Sequence, residues 1–305
     1  VSTATAPAVR PPSNQSSLRH RLAERGVDRT LWLLLPAVAF IVLLFMYPFL
    51  YGLGLSFQPS HGGGIFGNYA AFFSDPYLRN TIWKTLGLGL PAALFNVIAS
   101  IPIAYLMRGK VRGKRLLTTL LVVPITLGTV LTAQGLIMYA GPTGWLNTVL
   151  LDLGIIDEPL TLIHNWIGVF LSLIITGFPF AFLLTLSYIS GIDPALDKAA
   201  ATLGAGPMQR FRTITMPLLA PGLVITFTLS FVLAFSVFPS AQLVGDPTGS
   251  TRVMSIAAYD AAFQQFDFPM GSTMAMIMAV VMLVVIGLVM LWRTTLYRGA
   301  TGGKG

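Results

Sequence analysis

"DKAAATLGAGPMQRFRTITMP", residues 197–217, is a polar, helix-prone stretch in a chain of 305 residues of which only 10% are charged. It holds Asp197, Lys198, Arg210 and Arg212, with Gly204 near its middle and Pro207 and Pro217 bounding its second half. Long apolar runs flank it on both sides, and those runs decide the fold class. Apolar residues make up 54% of the chain and the mean hydropathy is +0.75, well above the even mixture of a soluble domain. A chain of this composition belongs in a bilayer.

Crossing a hydrocarbon core of about 30 Å takes roughly 20 apolar residues in helix. Six uncharged or nearly uncharged runs reach that length: Leu31 to Phe57, Thr85 to Met107, Leu116 to Ala140, Trp166 to Ile189, Leu218 to Ser240 and Gly271 to Trp292. Barrel strands would instead alternate over about ten residues. The expected fold is therefore an all-α membrane protein with six transmembrane helices. The first run is too long for a secretory h-region and continues into the bulky "MYPFLYGLGLSF", so it is read as a true span.

Lys and Arg near span ends favour the cytoplasmic side. With both termini inside, sixteen of the nineteen basic residues fall there, including Arg108, Lys110, Arg112, Lys114 and Arg115 after the second span and Lys198, Arg210 and Arg212 after the fourth. Only Arg79, Lys84 and Arg252 fall outside, against seven carboxylates. The split is +12 inside and −4 outside, so the net charge of +8 reports topology and gives no reason to expect a nucleic-acid partner. Residues 1–30 read as a cytoplasmic basic tail, either solvated or resting on anionic lipid; 31–57 is the first transmembrane helix, and 293–305 a second cytoplasmic tail. Three outer segments (61–80, 141–160 and 244–269) combine Gly/Pro turns with apolar residues at helical spacing, in the last case Met254, Ala257, Ala258 and Phe263. They either cap the bundle or meet an external partner.

The chain has no Cys, and its three His are too scattered for a metal site. It has no Gly-x-x-x-x-Gly-Lys-Ser/Thr phosphate loop, so it is not its own ATP-driven motor. No Ser/His/Asp set or carboxylate pair sits at a span end, which argues against an enzyme. The span interiors lack ionisable residues, which argues against an ion-coupled secondary transporter, the alternative from another functional class.

Within residues 193–217 the helix signals come in order. Asp193 is a suitable N-cap, Pro194 occupies the first helical position, and Leu196, Ala199, Ala200 and Leu203 share a face. Gly204 stops that helix, Pro207 starts a second one carrying Phe211 and Ile214, and Pro217 is expected to turn the chain into the fifth span. Taken alone, this is either an amphipathic turn on the lipid surface or a rigid handle for another protein.

The stretch "LDKAAATLGAGPMQRFRTITMPLLAPG" resembles the cytoplasmic signature loop of binding-protein-dependent ABC importer permeases. Ala199, Ala200, Gly204, Ala205, Phe211, Ile214 and Pro217 fall on its pattern, while Lys198 stands where the pattern has Glu, one residue after Asp197. "GNYAAFFSDPYLRNTIWKTL" and "GPTGWLNTVLLDLGI" also resemble loops of these permeases, and "VVPITLGTVLTAQGLIMY" is most similar to the spermidine/putrescine branch.

The resemblance implies a type I ABC importer permease fold with a cytoplasmic coupling helix, and a transmembrane type-1 domain at 81–292. It implies a multi-pass protein of the cytoplasmic (inner) membrane, working with a second permease subunit, two ABC ATPase subunits and an extracytoplasmic solute-binding protein. ATP and Mg would be bound by the ATPase subunits and no cofactor by this chain. Asp197 and Lys198, with the seven matching positions, would form the ATPase-coupling site. The implied solute is small and polar, polyamine-like by the branch resemblance, with a sugar, phosphonate or iron complex as alternatives. Asn96, Gln134, Phe178, Phe180, Phe235 and Phe238 are the candidate pathway residues, since a desolvated cation needs polar or aromatic compensation. Asp246, Asp260 and Asp267 at the outer border would face a cation or the rim of the binding protein.

Overall fold

The computed structural model describes residues 31–60, 63–109 and 113–297. Residues 1–30, expected as a basic tail, residues 61–62, Lys110, Arg112, Arg298 and Lys304 lie outside the described residues. The chain forms two compact units, Val1–Gly54 and Leu55–Gly305. In the first, α1 (Leu31–Ile41) runs through a π-helical turn (Val42–Met46) into α2 (Tyr47–Ser56). From Leu34 to Tyr51 its side chains are exposed, Ala39 excepted, with Leu43 and Phe45 both at 66%, as suits a helix solvated by hydrocarbon.

The second unit contains α3 (Gly67–Ser74), α4 (Pro76–Met107), α5 (Lys114–Ala140), α6 (Trp145–Asp152), α7 (Trp166–Ser190), α8 (Pro194–Thr202), α9 (Pro207–Arg210), α10 (Met216–Phe235), α11 (Pro239–Val244), α12 (Met254–Tyr259) and α13 (Phe268–Tyr297). Two further π-helical turns, Phe211–Thr215 and Asp260–Gln264, follow α9 and α12. There is no strand among the described residues, and six helical runs are long and apolar enough to cross a membrane.

Two of the expected spans need correction. The second begins at Pro76, nine residues before Thr85, because Asp75 and Pro76 start a helix: the Asp75 carboxylate accepts the Tyr77 N–H at 2.8 Å. At 32 residues, α4 is about 48 Å long and projects beyond the bilayer core. The fifth span is not a helix from Leu218 to Ser240 entered through a turn at Pro217. It is one helical run, Pro207–Phe235, in which the Met216 N–H reaches back five residues to the Phe211 carbonyl. That widened turn lets the chain pass Pro217 without a sharp kink. The run stops at Phe235 because Phe238, at φ −130° and ψ −60°, leads into Pro239, whose ring disfavours helical geometry in the residue before it. Ser240 therefore belongs to α11.

The second unit has three apolar clusters. Leu88 and Ala92 of α4, Leu136 of α5, Leu173 of α7 and Val244 of α11 form one; Phe231 and Phe235 of α10 join Met254, Met270 and Met274 in another. The third, Ala104, Met107, Phe182, Leu186 and Leu219, lies towards the end of the bundle that carries α8. Between helices three pairs of buried polar groups meet: Ser100 with Thr185 at 2.8 Å, the Ser172 hydroxyl with Ser240 at 2.8 Å, and the Met254 N–H with the Thr85 hydroxyl at 2.9 Å. Interhelical bonds of this kind in lipid contribute about 0.6 kcal/mol each. They tie α4 to α7 and to the start of α12, and α7 to α11.

Candidate functional site

Helix α8 begins where the Asp193 carboxylate accepts the Ala195 N–H at 2.8 Å, with Pro194 at the first helical position. It ends in a full Schellman motif: Ala205 N–H to Ala200 O at 3.0 Å and Gly204 N–H to Ala201 O at 3.0 Å, with Gly204 at φ +84°. No residue of α8 is buried. Leu196 and Leu203 are 46% and 88% exposed, and Met208 just beyond is 68% exposed. Lys198 and Ala199 face outward, while Ala200 and Ala205 are half-buried. The result is a short helix with both ends fixed and an apolar surface left uncovered by this chain.

The other residues expected to couple to an ATPase divide. Ile214 borders a cavity of about 190 Å³ with Asp197 and Lys198, Phe211 packs edge-on against Tyr105 with ring centroids 4.8 Å apart, and Pro217 is exposed at the start of α10. Asp197 turns inward, accepting Arg210 Nη1 at 3.0 Å and Arg108 Nη2 at 3.1 Å on the same oxygen. Sequence reasoning treated Arg108 and Arg210 only as topology markers. Nothing in the local pattern joins residues that lie 89 and 13 positions from Asp197.

Of the candidate pathway residues, Asn96, Phe180 and Phe238 come together around a cavity of about 440 Å³ between α4, α5, α7 and α10. Phe178 packs instead against the third apolar cluster, Phe235 is fully buried in the second, and Gln134 is exposed on α5. Among the described residues the cavity is lined by no acidic or basic side chain.

Asn96 is 1% exposed; its Nδ2 donates to the Leu173 carbonyl at 3.2 Å, which leaves Oδ1 as an acceptor with no hydrogen-bond partner among the described residues. The Ser230 hydroxyl, also lining the cavity, is likewise unpartnered. Gly177 makes this placement of Asn96 possible, because a Cβ there would stand 2.4 Å from Asn96 Nδ2.

Helix α5 breaks beside the cavity at Gly128, whose φ of 73° and ψ of 176° are accessible essentially only to glycine. The break divides α5 into two half-helices. Irregular backbone at membrane depth is tolerated where it is buried in protein or lines a cavity. The Pro and Gly in "PITLGT" signal this break, and sequence reasoning passed over it.

At the opposite end the three outer carboxylates are already engaged. Asp260 pairs with Arg252 at 3.0 Å, Asp267 accepts the Met270 N–H at 3.0 Å, and Asp246 accepts the Ser250 N–H at 2.8 Å inside its own turn. The Ser250 amide holds the Asp246 carboxyl below the usual carboxylate range, helped by Gly249, Thr248 and the Ser250 hydroxyl against a smaller opposing effect of burial.

Known proteins share much of this architecture. The family model described as "Binding-protein-dependent transport system inner membrane component" matches residues 96–298. The chain is 30% identical over 219 residues to the spermidine/putrescine transport system permease protein of Haemophilus influenzae, covering 68% of this chain and 76% of that protein. It is 29% identical over 216 residues to the probable sulfate transport system permease protein of Prototheca wickerhamii, covering 70% and 83%. Among solved structures, a bacterial ABC transporter involved in the import of the acidic polysaccharide alginate superposes with a TM-score of 0.76 at 22% identity, over 93% of this chain and 99% of that one. The family match covers well over half of the chain, six apolar helices can cross the bilayer, and the fold is that of an importer's membrane subunit, so the chain belongs to the binding-protein-dependent inner-membrane components, the multi-pass permease subunits of ABC importers.

Proposed function

We propose that this permease, paired with a second permease subunit, forms the pathway for a small polar solute of polyamine type delivered by an external binding protein. Separate ATPase subunits, which carry ATP and Mg, act on α8. The observation that carries this reading is α8 itself: a helix fixed at both ends, apolar, uncovered, and set at one end of the bundle. The basic residues gathered at that end favour the cytoplasmic side for it and for both termini. The solved alginate transporter in complex with a sugar-bound periplasmic protein supports a delivery partner for this chain too.

For the solute, support comes from the spermidine/putrescine relatives and from the cavity beside Gly128. Two of its fixed groups act as acceptors: Asn96 Oδ1 and the Thr176 hydroxyl, whose proton goes to the Ser172 carbonyl at 2.8 Å. The C-terminal end of a half-helix and the faces of Phe180 and Phe238 favour a cation. An ammonium group fits this lining, whereas a sulfate would meet no basic side chain. With no carboxylate in place the hold is weak, which suits passage through a pathway; acidic groups would come from the second permease.

The test is uptake by vesicles containing the assembled transporter, with spermidine, sulfate and an acidic oligosaccharide as separate probes. Spermidine import that needs ATP and the binding protein, survives collapse of ion gradients, and weakens in Asn96→Leu supports the reading. Gradient-driven uptake by this chain alone would refute the importer assignment, and import of sulfate or oligosaccharide in place of spermidine would refute the solute class.

A further inference from the structure

Asp197 was expected to face the ATPase, yet its carboxylate joins two other parts of the chain. Arg210 precedes the wide turn of the fifth helical run, and Arg108 directly follows α4. Both reach Asp197 Oδ2, at 3.0 and 3.1 Å, and all three side chains are about three-quarters buried. Arg108 is itself held, with its guanidinium 4.2 Å from the Tyr105 ring centroid and Nη1 donating to the Thr215 hydroxyl at 3.4 Å. The Tyr105 ring abuts Phe211 in turn. These contacts bind the end of α4 and the Phe211–Thr215 turn to one point on α8. In the connecting turn from α7, the Asp193 carboxylate caps α8 itself.

The cluster also contains one unmade bond. Among the described residues Asp197 Oδ1 and Arg210 Nε are buried without partners, an acceptor and a donor on side chains already in contact. A buried carboxylate oxygen without a donor is costly. Ionised pairs of this kind hold geometry as well as charge.

We propose that Asp197 is a positioning residue that clamps α8 to the second and fifth spans, so that displacement of α8 is delivered to α4 and α10. This rests on the importer reading given above, and it leaves Lys198 as the charge that α8 presents outward. Without the clamp α8 would still meet its motor, but it would slide over the helices it is meant to move.

The experiment measures backbone amide exchange in the permease assembled with its ATPase subunits, with and without ATP plus vanadate, and so requires no knowledge of the solute. In the unaltered protein nucleotide should change exchange in α8, at Ala104 to Met107, and at Phe211 to Thr215. In Asp197→Asn, and equally in Arg108→Met, the response at the last two segments should fall roughly five-fold or more while α8 still responds and the ATPase subunits stay bound.

A full response at α4 and the wide turn in both variants would overturn the clamp alone. Loss of the ATPase subunits from Asp197→Asn but not from Arg108→Met would also overturn it, because Asp197 would then be an outward contact. Absence of any nucleotide response at α8 in the unaltered protein would overturn the importer reading itself.

Discussion

Replacing Gly204 tests the part proposed for the end of α8 in transport. A Cβ built at this position has nothing within 4 Å, so no clash contributes to the effect and the cost is confined to the backbone at φ +84°. A residue with a Cβ in this left-handed region costs about 1–2 kcal/mol, a β-branched one more, and Asn least. That is roughly a five- to thirty-fold increase in the population in which the last turn has opened. The amides to follow are those of Gly204 and Ala205, whose bonds to Ala201 and Ala200 close the motif. Their exchange should quicken in the order Gly, Asn, Ala, Val, and solute imported per ATP should fall in that same order, with membrane insertion unchanged. A Val variant that behaves as Gly does would refute this account. So would an Asn variant as damaged as Val, since side-chain bulk rather than backbone conformation would then control the site.

Three further perturbations test other parts of the structure. Gly128→Ala demands backbone angles that cost about 1–3 kcal/mol without glycine; straightening of α5 should abolish uptake, and a variant with unaltered uptake would show that the break is dispensable. Gly177→Ala brings a Cβ within 2.4 Å of the flexible Asn96 amide, which should swing away and give up its bond to Leu173. We expect about 1 kcal/mol lost in thermal unfolding and a raised KM for spermidine with little change in the amount inserted. The third concerns Asp246. Its carboxyl is held below the ordinary range, so its contribution is complete above the unfolded carboxylate pKa and disappears as pH falls through the depressed folded value. Amide exchange at Ser250 and Thr251, corrected for intrinsic rates, should therefore stay slow while ordinary carboxylates protonate and rise only at lower pH; in Asp246→Asn it should be fast at neutral pH.

Periodicity and length were sufficient for the six spans, because a hydrocarbon-crossing helix advertises itself by an unbroken apolar run. The limits of α8 were equally legible, since Asp193, Pro194 and Gly204 act through local geometry. The start of α4 at Pro76 carries the same Asp-Pro signal, but the polar residues behind it made the segment resemble a loop. Pro217 misled for a different reason: a proline breaks a regular helix, and nothing in the sequence announced a widened turn ahead of it. Which phenylalanines reach the cavity, and that Asp197 meets Arg108, depend on how separate helices are rotated against one another. No pattern within one helix records that rotation. The grouping of Asn96, Phe180 and Phe238, and the exclusion of Phe178, Phe235 and Gln134, became visible only once the helices were packed.

The wide turn at Phe211–Thr215 also sets a phase. Each residue added to or taken from a helix rotates one side of it against the other by about 100°. Leu219 and Phe231 downstream are locked in the interior, so deleting one residue from this turn would leave the span in place and swing Arg210, with everything before it, around the helix axis. The angular setting of α8 is thus held by a single extra residue. Insertions or deletions that the solvent-facing loops would absorb should be lethal to transport here, even where every apolar position is kept.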